Sequence, residues 1–556
     1  MNGRNIIPLL LVICLVANAQ SFADEESLRR QIQQWVQQLG SESFLARQRA
    51  ESLLIRAGIR AYPELQRVKQ GSDIEVVRRA EYILSQIEQA FLDLENREVA
   101  SWIQSYMVTP NPAYKARIIW VFADPTSDLA NGEGLQTLCR LVQFEENPSL
   151  RLEAAKSLIA SPPFSPALRQ TWYRRMRNNV HDLGGDELLR CLARYAQLWC
   201  DLDETDDKTT PEFQERVLQV GTETLQLLNR PENSIQIGSK IDVLLHYAVA
   251  ELQDAVGLTD ERDQTISKAL AIKPEPIQTS EPIEPILSVV EDNLLMGEHF
   301  YVGWCLKRRY RLHWAMAHFQ KVMETGEISL RAEASEMAAA IALYLADYSS
   351  AMVFYDKHIE ILKSPDYTAK KDDSLKRVIQ TQKRKAYCLA EQAAAEQDWE
   401  KVQKLITEGW TISETPDNIT DVDLAILAYR LCKQKDDVDL AFRNTMNVRF
   451  KQIWQTIEND YRHSTPDQRP AKMIIMCNAA AWMLANTDGD YPSALTLVET
   501  ALKAEPDDAG ILDTLAHVYF LGGKVDEAIR TQEQVVRIAP EAVIFQQALE
   551  RFKQVK

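Results

Sequence analysis

The sequence has little of what builds β-sheets or common catalytic sites. It contains 19 glycines and 8 histidines among 556 residues, and apolar–polar alternation over the length of a strand is hard to find. Helical periodicity runs through nearly all of it, which indicates an all-α protein. The H-E-x-x-H zinc motif, the G-x-S-x-G nucleophile motif and glycine-rich phosphate loops are all absent. We therefore predict no catalytic residues, no cofactor and no enzymatic activity.

Residue pairs with metal-binding side chains do not share a helix face. His313 and His318 are five positions apart, which places them about 140° apart on a helix. Cys191 and Cys200 fall about 180° apart by the same geometry. The acidic run 201–207, with Glu212 after it, resembles an EF-hand loop, but Asp206 stands where the EF-hand needs glycine. We predict a solvated acidic loop and no metal site.

Cysteines are few and scattered. Beyond Cys14 there are seven, an odd number without the spacing of a disulfide framework: 139, 191, 200, 305, 388, 432 and 477. Most lie in apolar helical context, which favours buried thiols that pack as small hydrophobic groups. One disulfide stays an open alternative.

The chain is acidic, with a formal charge of −17 and a pI of about 5.1. Such a charge repels nucleic acid and anionic lipid, so neither is a predicted partner. Two basic clusters interrupt this background, one at 307–311 and one between Lys370 and Lys385. Cations are favourable at helix C-termini, so we interpret both as solvated helix ends. A groove for an acidic peptide is the alternative.

The first 23 residues are typical of a secretory signal. Arg4 precedes an apolar run from Ile6 to Ala17, and small-residue cleavage patterns follow at 17–19 and 21–23. The run is shorter than the roughly 20 residues of a membrane-spanning helix. We expect export to the periplasm or the extracellular space, with an uncleaved anchor as the alternative. No later stretch could cross a membrane.

A repeat with a period of 34 residues occurs near the C-terminus. Ala494, Ala501 and Pro506 are matched by Ala528, Val535 and Pro540. A small–small–proline pattern at this period is typical of stacked helical hairpins. In the last unit, Leu512, Leu515 and Tyr519 form one apolar stripe, Ala516 and Ala528 allow close helix contact, and Gly522-Gly523 makes the turn.

With these residues, 287–556 resemble tetratricopeptide (TPR) repeats. Earlier units are degenerate: Gly303, Ala315 and Phe319 mark one, Ala339, Ala351 and Tyr355 a second, and Tyr387, Ala390, Trp399 and Ile406 a third. Two departures from the family stand out, namely Gln532 in place of a bulky aromatic residue and extra turn residues at 486–491.

The N-terminal part resembles HEAT repeats. A shared helix face is formed by Phe44, Arg47, Ala50, Leu53 and Leu54. The turn 58–65 reads Gly-x-x-Ala-x-Pro-x-Leu, and an acidic–valine–arginine segment follows at 75–80. A generic helical bundle is the alternative.

These patterns together predict an all-α solenoid of helical hairpins, HEAT-like at the N-terminus and TPR-like at the C-terminus. The predicted domains are a signal peptide (1–23), HEAT-like repeats (24–200), an acidic loop with a degenerate repeat (201–272), a proline-rich linker (273–286), degenerate TPR repeats (287–470) and a terminal TPR pair (471–556).

The TPR resemblance implies an exported, non-catalytic scaffold that binds proteins or peptides on a concave helical surface. Its candidate contact residues are Trp304, Lys307, Asp513, His517 and Phe520. The alternatives are an enzyme or ligand-binding protein with a pocket enclosed by the superhelix, and a structural envelope component.

Overall fold

The structure is a computed structural model. It describes residues 30–57, 61–69, 71–90, 97–123, 133–145, 147–162, 166–180, 186–205, 207–228, 240–272, 298–367, 371–413, 420–462 and 469–555. The predicted signal peptide (1–23) and the predicted linker (273–286) lie outside these residues. No strand occurs in the described ranges, and the all-α solenoid predicted from sequence is confirmed. The predicted domain limits stay predictions.

The N-terminal half of the chain begins with a helix, α1, at 30–38. The next helices are α2 (Phe44–Ala57), α3 (Tyr62–Lys69), α4 (Ile74–Ala90), α5 (Arg97–Val108), α6 (Pro112–Ala123), α7 (Glu133–Phe144), α8 (Pro148–Ala160), α9 (Pro166–Asn179), α10 (Glu187–Glu204), α11 (Pro211–Leu228), α12 (Lys240–Ala255) and α13 (Thr259–Ala271).

The C-terminal half contains α14 (Glu298–Arg308), α15 (Leu312–Thr325), α16 (Ile328–Tyr344), α17 (Tyr348–Leu362), α18 (Lys371–Ala395), α19 (Trp399–Thr411), α20 (Thr420–Gln434), α21 (Leu440–Arg462), α22 (Arg469–Ala485), α23 (Tyr491–Leu502), α24 (Ala509–Leu521), α25 (Val525–Ile538) and α26 (Val543–Val555).

The described residues fall into two compact units. The first takes those within Met1–Leu158, Arg175–Gln197 and Gln226–Ile235, and the second those within Ile159–Arg174, Leu198–Leu225 and Gln236–Lys556. In the first unit, α2 and α3 pack on α4 around a core that includes Ala50 and Leu54. Phe44 departs from the expected face, since it is 59% exposed beneath the guanidinium of Arg47. The HEAT-like assignment stays a prediction.

The second unit contains consecutive helical hairpins. From α14 to α26, each helix packs on the helix that follows it in sequence, which is the arrangement of a solenoid. Small residues lie at the hairpin contacts, as the sequence predicts: Ala315, Ala339, Ala351, Ala390, Ala516 and Ala528 are fully buried. At Gly303, an added Cβ would lie 3.1 Å from the Phe319 ring, so this contact requires glycine or a shift of the ring.

One turn geometry recurs in five of these hairpins. A residue with positive φ follows the first helix of the pair: Gly257, Tyr310, Ala346, Gln397 and Gly523. In each case the next amide donates to the carbonyl five residues back, at 2.9 Å. This is the six-to-one hydrogen bond of a Schellman C-cap, which satisfies a terminal helix carbonyl. The recurrence shows that α12–α13, α14–α15, α16–α17, α18–α19 and α24–α25 are equivalent units.

The turn between α22 and α23 is longer. It spans 486–490, as the extra residues in the sequence predict, and Asp490 caps α23 by accepting a hydrogen bond from the Ser493 amide at 2.9 Å.

The seven cysteines beyond Cys14 are free thiols. Six are buried and Cys477 is half-buried. Burial raises the pKa of Cys139 and of Cys388 to about 12, so these thiols stay protonated and pack as small apolar groups.

Candidate functional site

The two ends of the segment Glu298–Val555 pack against each other. Phe545 of α26 contacts the rings of Tyr344 (5.7 Å between centroids) and Tyr310 (6.4 Å). The amide of His313 donates to the Glu541 carboxylate at 2.9 Å. A simple stack, in which each repeat contacts only its neighbours, does not predict these contacts. The last hairpin and the helix after it therefore cover one face of the first hairpin.

Two of the candidate contact residues lie on α14 near this junction. Trp304 is half-buried, with its ring 6.2 Å from that of Tyr301. Lys307 is also half-buried, and burial lowers the pKa of its amine, followed by the charge of Arg308, while Asp508 before α24 raises it. Lys307 is thus within electrostatic range of a carboxylate of the chain's own last repeat.

Asp513 and His517 belong to a buried polar network. Nε2 of Gln532 donates to the Asp513 carboxylate at 2.7 Å and also to the Phe545 carbonyl at 3.1 Å. The Nδ1 atom of His517 lies 2.9 Å from the Asp513 backbone oxygen, and Arg551 contacts its Nε2. A neutral imidazole that donates from Nδ1 and accepts at Nε2 satisfies both contacts. Gln532, the departure from the TPR pattern, is therefore one of the residues that link α24 to α26.

Burial changes the pKa values of the Asp513 carboxyl and the His517 imidazole. It raises the pKa of Asp513 to about 7, against the opposing effects of Gln532 and Arg551. It lowers the pKa of His517 to about 3, and the charge of Arg551 lowers it further. Both shifts favour the uncharged form, as expected for groups removed from water.

The last candidate, Phe520, is half-buried. Its ring stacks on that of Phe552 with centroids 4.7 Å apart. The prediction from sequence assumes that the inner helix α24 is accessible to a partner. It does not include the covering of α24 by α26. Asp513 and His517 are thus packed inside the unit, and a role for any of the five residues in partner binding stays a prediction.

A cavity of about 320 Å³ opens beside the junction. It is lined by residues from the start of α9, the α14–α15 turn, the loop before α24 and the end of α25: Ala167, Arg169, Arg309, Arg311, Asp507, Gln534, Arg537, Ile538 and Pro540. Arg309 and Arg311 belong to the basic cluster visible in sequence. Their meeting with Arg169 and Arg537, which are far away in the chain, had no sequence signal.

Glu251 organises the arginines of this cavity. Its carboxylate lies 3.5 Å from Arg169, 3.6 Å from Arg309 and 3.9 Å from Arg311. Burial raises the pKa of Glu251, but the guanidinium groups of Arg309, Arg169 and Arg311 outweigh it and hold the pKa below its usual value. The carboxylate therefore stays charged and is shared by three arginines.

A histidine pair joins α14 and α15. His318 is buried, with Nε2 2.7 Å from the Tyr247 hydroxyl and Nδ1 2.9 Å from Nδ1 of His299. Burial lowers the pKa of His318 to about 3. His313 is exposed and points elsewhere, in agreement with the separation calculated from sequence. Among the described residues, no group of three metal-binding side chains comes together.

Comparison with known proteins identifies the repeats at the C-terminus. A family model described as tetratricopeptide repeat matches residues 485–552. No curated protein matches the sequence. None of the helices in the described ranges is long and apolar enough to span a membrane.

Two solved structures show a distant likeness. The crystal structure of the APC/C hetero-tetramer Cut9–Hcn1 is 13% identical with a TM-score of 0.25, over 96% of this chain and 88% of the other. The structure of Naa15/Naa10 bound to HypK-THB is 14% identical with a TM-score of 0.21, over 90% of this chain and 66% of the other. TM-scores this low support no argument about the fold, which is therefore described from the helices of this chain alone. The matched family model and the recurring hairpin turn together establish TPR-type repeats at the C-terminus of an all-α solenoid.

Proposed function

We propose that the protein is an exported, non-catalytic scaffold or adaptor that binds proteins or peptides on its helical surface. The observation that carries the proposal is the TPR match at 485–552, set in a series of hairpins that share one turn. Stacked hairpins expose long faces of neighbouring helices, and such surfaces suit extended protein ligands.

Exposed apolar side chains suggest where a partner contacts the repeats. Trp454 on α21 is 41% exposed, and Leu440 and Val448 on the same helix are 70% and 53% exposed. Tryptophan is enriched among the residues that dominate binding energy in protein interfaces. Trp304, Lys307 and Phe520 stay in the proposal as half-buried candidates. Asp513 and His517 enter it only if α26 moves away from α24.

The test is affinity capture from the exported fraction with tagged full-length protein. We expect the wild type to retain specific partners, and Trp454→Ala to bind them about tenfold or more weakly. Such a loss corresponds to about 1.4 kcal/mol or more of binding free energy, as for a residue that dominates an interface. Ile74→Ala, at a side chain that is 71% exposed in the other unit, is the matched control and should retain them. Absence of any partner that depends on Trp454, Trp304 or Phe520 would contradict the proposal.

Export is tested separately by sequencing the N-terminus of the mature protein. The small-residue patterns at 17–19 and 21–23 predict a start at Gln20 or Asp24. Recovery of the chain with Met1 intact from the soluble cell interior would remove export from the proposal and leave the scaffold function to the capture experiment.

A further inference from the structure

The arginine-lined cavity has the size and charge of a small-anion site. Its volume of about 320 Å³ falls at the lower end of the range for ligand pockets in proteins. Four separate parts of the second unit supply its walls, so the site exists only because the last hairpin packs beside the first. Nothing in the scaffold proposal requires arginines at this position.

The buried part of the site is held by contacts within the protein. Arg309 has a side chain that is 1% exposed, and its Nη2 atom donates to the carbonyl oxygen of Ala160 at 3.0 Å. Glu251 holds the same guanidinium from another side at 3.6 Å. Arginines that are fixed in this way are preorganised, so little side-chain entropy is lost when an anion binds.

The accessible part of the site carries further positive charge. The side chains of Arg169 and Arg311 are 19% and 21% exposed, and Arg537 is exposed at the rim. Arg311 also pairs with Asp254 at 3.0 Å, but that carboxylate is shared with Arg262 at 2.7 Å. Asp507 is the acidic residue that lines the cavity.

The charges around the cavity favour an anionic ligand. Arg169, Arg309, Arg311 and Arg537 bring four positive charges, against one each from Glu251 and Asp507. Asp254 and the exposed Asp263 lie farther out and share Arg262 at 2.7 and 2.8 Å. The guanidinium groups that line the cavity therefore outnumber its carboxylates. A phosphomonoester carries about −1.5 to −2 at neutral pH and offers three oxygen acceptors, which suit forked guanidinium donors.

We propose that this cavity binds a phosphate-type dianion, either free phosphate or the phosphoryl group of a small phosphomonoester. A carboxylate monoanion has two acceptor oxygens and a single charge, so it would satisfy fewer of these guanidinium donors than a phosphoryl group. The proposal goes beyond partner binding and does not depend on it. It also names a ligand class for the alternative function, a ligand-binding protein with a pocket enclosed by the superhelix.

The test is isothermal titration calorimetry of the full chain at a constant ionic strength of about 0.15 M, which keeps long-range attraction screened. The probes are inorganic phosphate, O-phosphoserine, sulfate and acetate. We expect saturable one-to-one binding of phosphate or phosphoserine, and at least about tenfold weaker binding of acetate. A preference between the first two probes identifies free phosphate or a phosphomonoester as the source.

The matched variants are Arg537→Gln and Arg530→Gln. Both residues are exposed on α25, seven positions apart, so they share a helix face but lie about 10 Å apart. Arg537 lines the cavity and Arg530 does not. We expect Arg537→Gln to weaken phosphate binding by about tenfold and Arg530→Gln to leave it unchanged. Neither change touches the buried core, so both variants should fold.

Three results would overturn the proposal. The first is no saturable binding of phosphate, phosphoserine or sulfate at millimolar concentration. The second is acetate binding as tightly as phosphate. The third is an equal loss with Arg530→Gln and Arg537→Gln, which would indicate general attraction to a basic helix. Partner capture that depends on Trp454 is a separate readout and stands or fails without these results.

Discussion

The hairpin α24–α25, within the matched TPR region, and the hairpin α14–α15 have the same turn but very different sequences. In α24–α25 the positive-φ position is Gly523, at 72°, and an added Cβ there would meet nothing within 4 Å. In α14–α15 the same position is Tyr310, at 55°, and its ring packs against Tyr344 and Phe545. Glycine accepts this conformation without steric cost, whereas tyrosine must be held there by packing. The last hairpin has a turn that its local sequence specifies, and the first hairpin has one that depends on the contact with the last.

The largest expected effect comes from breaking that contact. Phe545 is 3% exposed between the two hairpins, so Phe545→Ala removes a buried ring and leaves a cavity. We expect a loss of about 3–5 kcal/mol in the free energy of unfolding of the unit. Chemical denaturation of the variant and of the wild type measures it. A loss below about 1 kcal/mol would show that the ring does not join the two hairpins.

The next effect tests the helix contact within the last hairpin. Ala528 is fully buried in a cluster with Ala516 and Phe552. Ala528→Leu adds three carbons to this packed site and should cost about 1–3 kcal/mol of stability. The control Glu527→Ala, at a half-buried position, should change stability by less than about 0.5 kcal/mol. Equal effects of the two substitutions would contradict the assigned contact.

A third effect depends on pH. The pKa of Asp513 is raised to about 7 in the folded state, so the fold holds a proton that the unfolded chain loses near pH 4. This carboxyl therefore lowers stability as pH rises from about 4 to 7. His517, with its pKa lowered to about 3, acts in the opposite direction and adds stability between about pH 3 and 6.5.

Asp513→Asn keeps an oxygen for Gln532 and removes the titration. Relative to the wild type, the free energy of unfolding of the variant should rise by about 1–3 kcal/mol as pH rises from 4 to 7. Denaturation curves at several pH values measure the difference. A difference that stays constant with pH would show that Asp513 titrates normally in the fold.

The smallest effects compare the turns directly. Gly523→Ala forces an L-residue into the left-handed region and should cost about 1 kcal/mol. Gln397, exposed at the equivalent position with φ 60°, should respond in the opposite direction: Gln397→Gly should add about 0.5 kcal/mol. Thermal unfolding of both variants measures the pair. Shifts of the same sign would contradict the common turn geometry.

Local patterns in the sequence predicted the helices, the small residues at hairpin contacts and the turn at Gly523, because periodicity and glycine act over a few neighbouring residues. The turns at Tyr310, Ala346 and Gln397 carry no such signal, because none of these residue types favours positive φ. At Tyr310, packing against Tyr344 and Phe545 supplies what the residue type does not. The covering of Asp513 and His517 by α26, and the meeting of Arg169 with Arg309 and Arg537, depend on contacts between distant parts of the chain. A single sequence carries no information about such long-range contacts, so it could not predict either of them.

The central claim is that the repeats from Glu298 to Val555 join at their two ends. Hydrogen exchange of Phe545→Ala, followed by mass spectrometry, tests it most directly. We predict loss of protection in α24–α26 and also in α14–α16, because Tyr310 and Tyr344 contact Phe545, while α2–α4 in the other unit keep theirs. Loss confined to residues after about 479 would contradict the claim and support a simple one-dimensional stack.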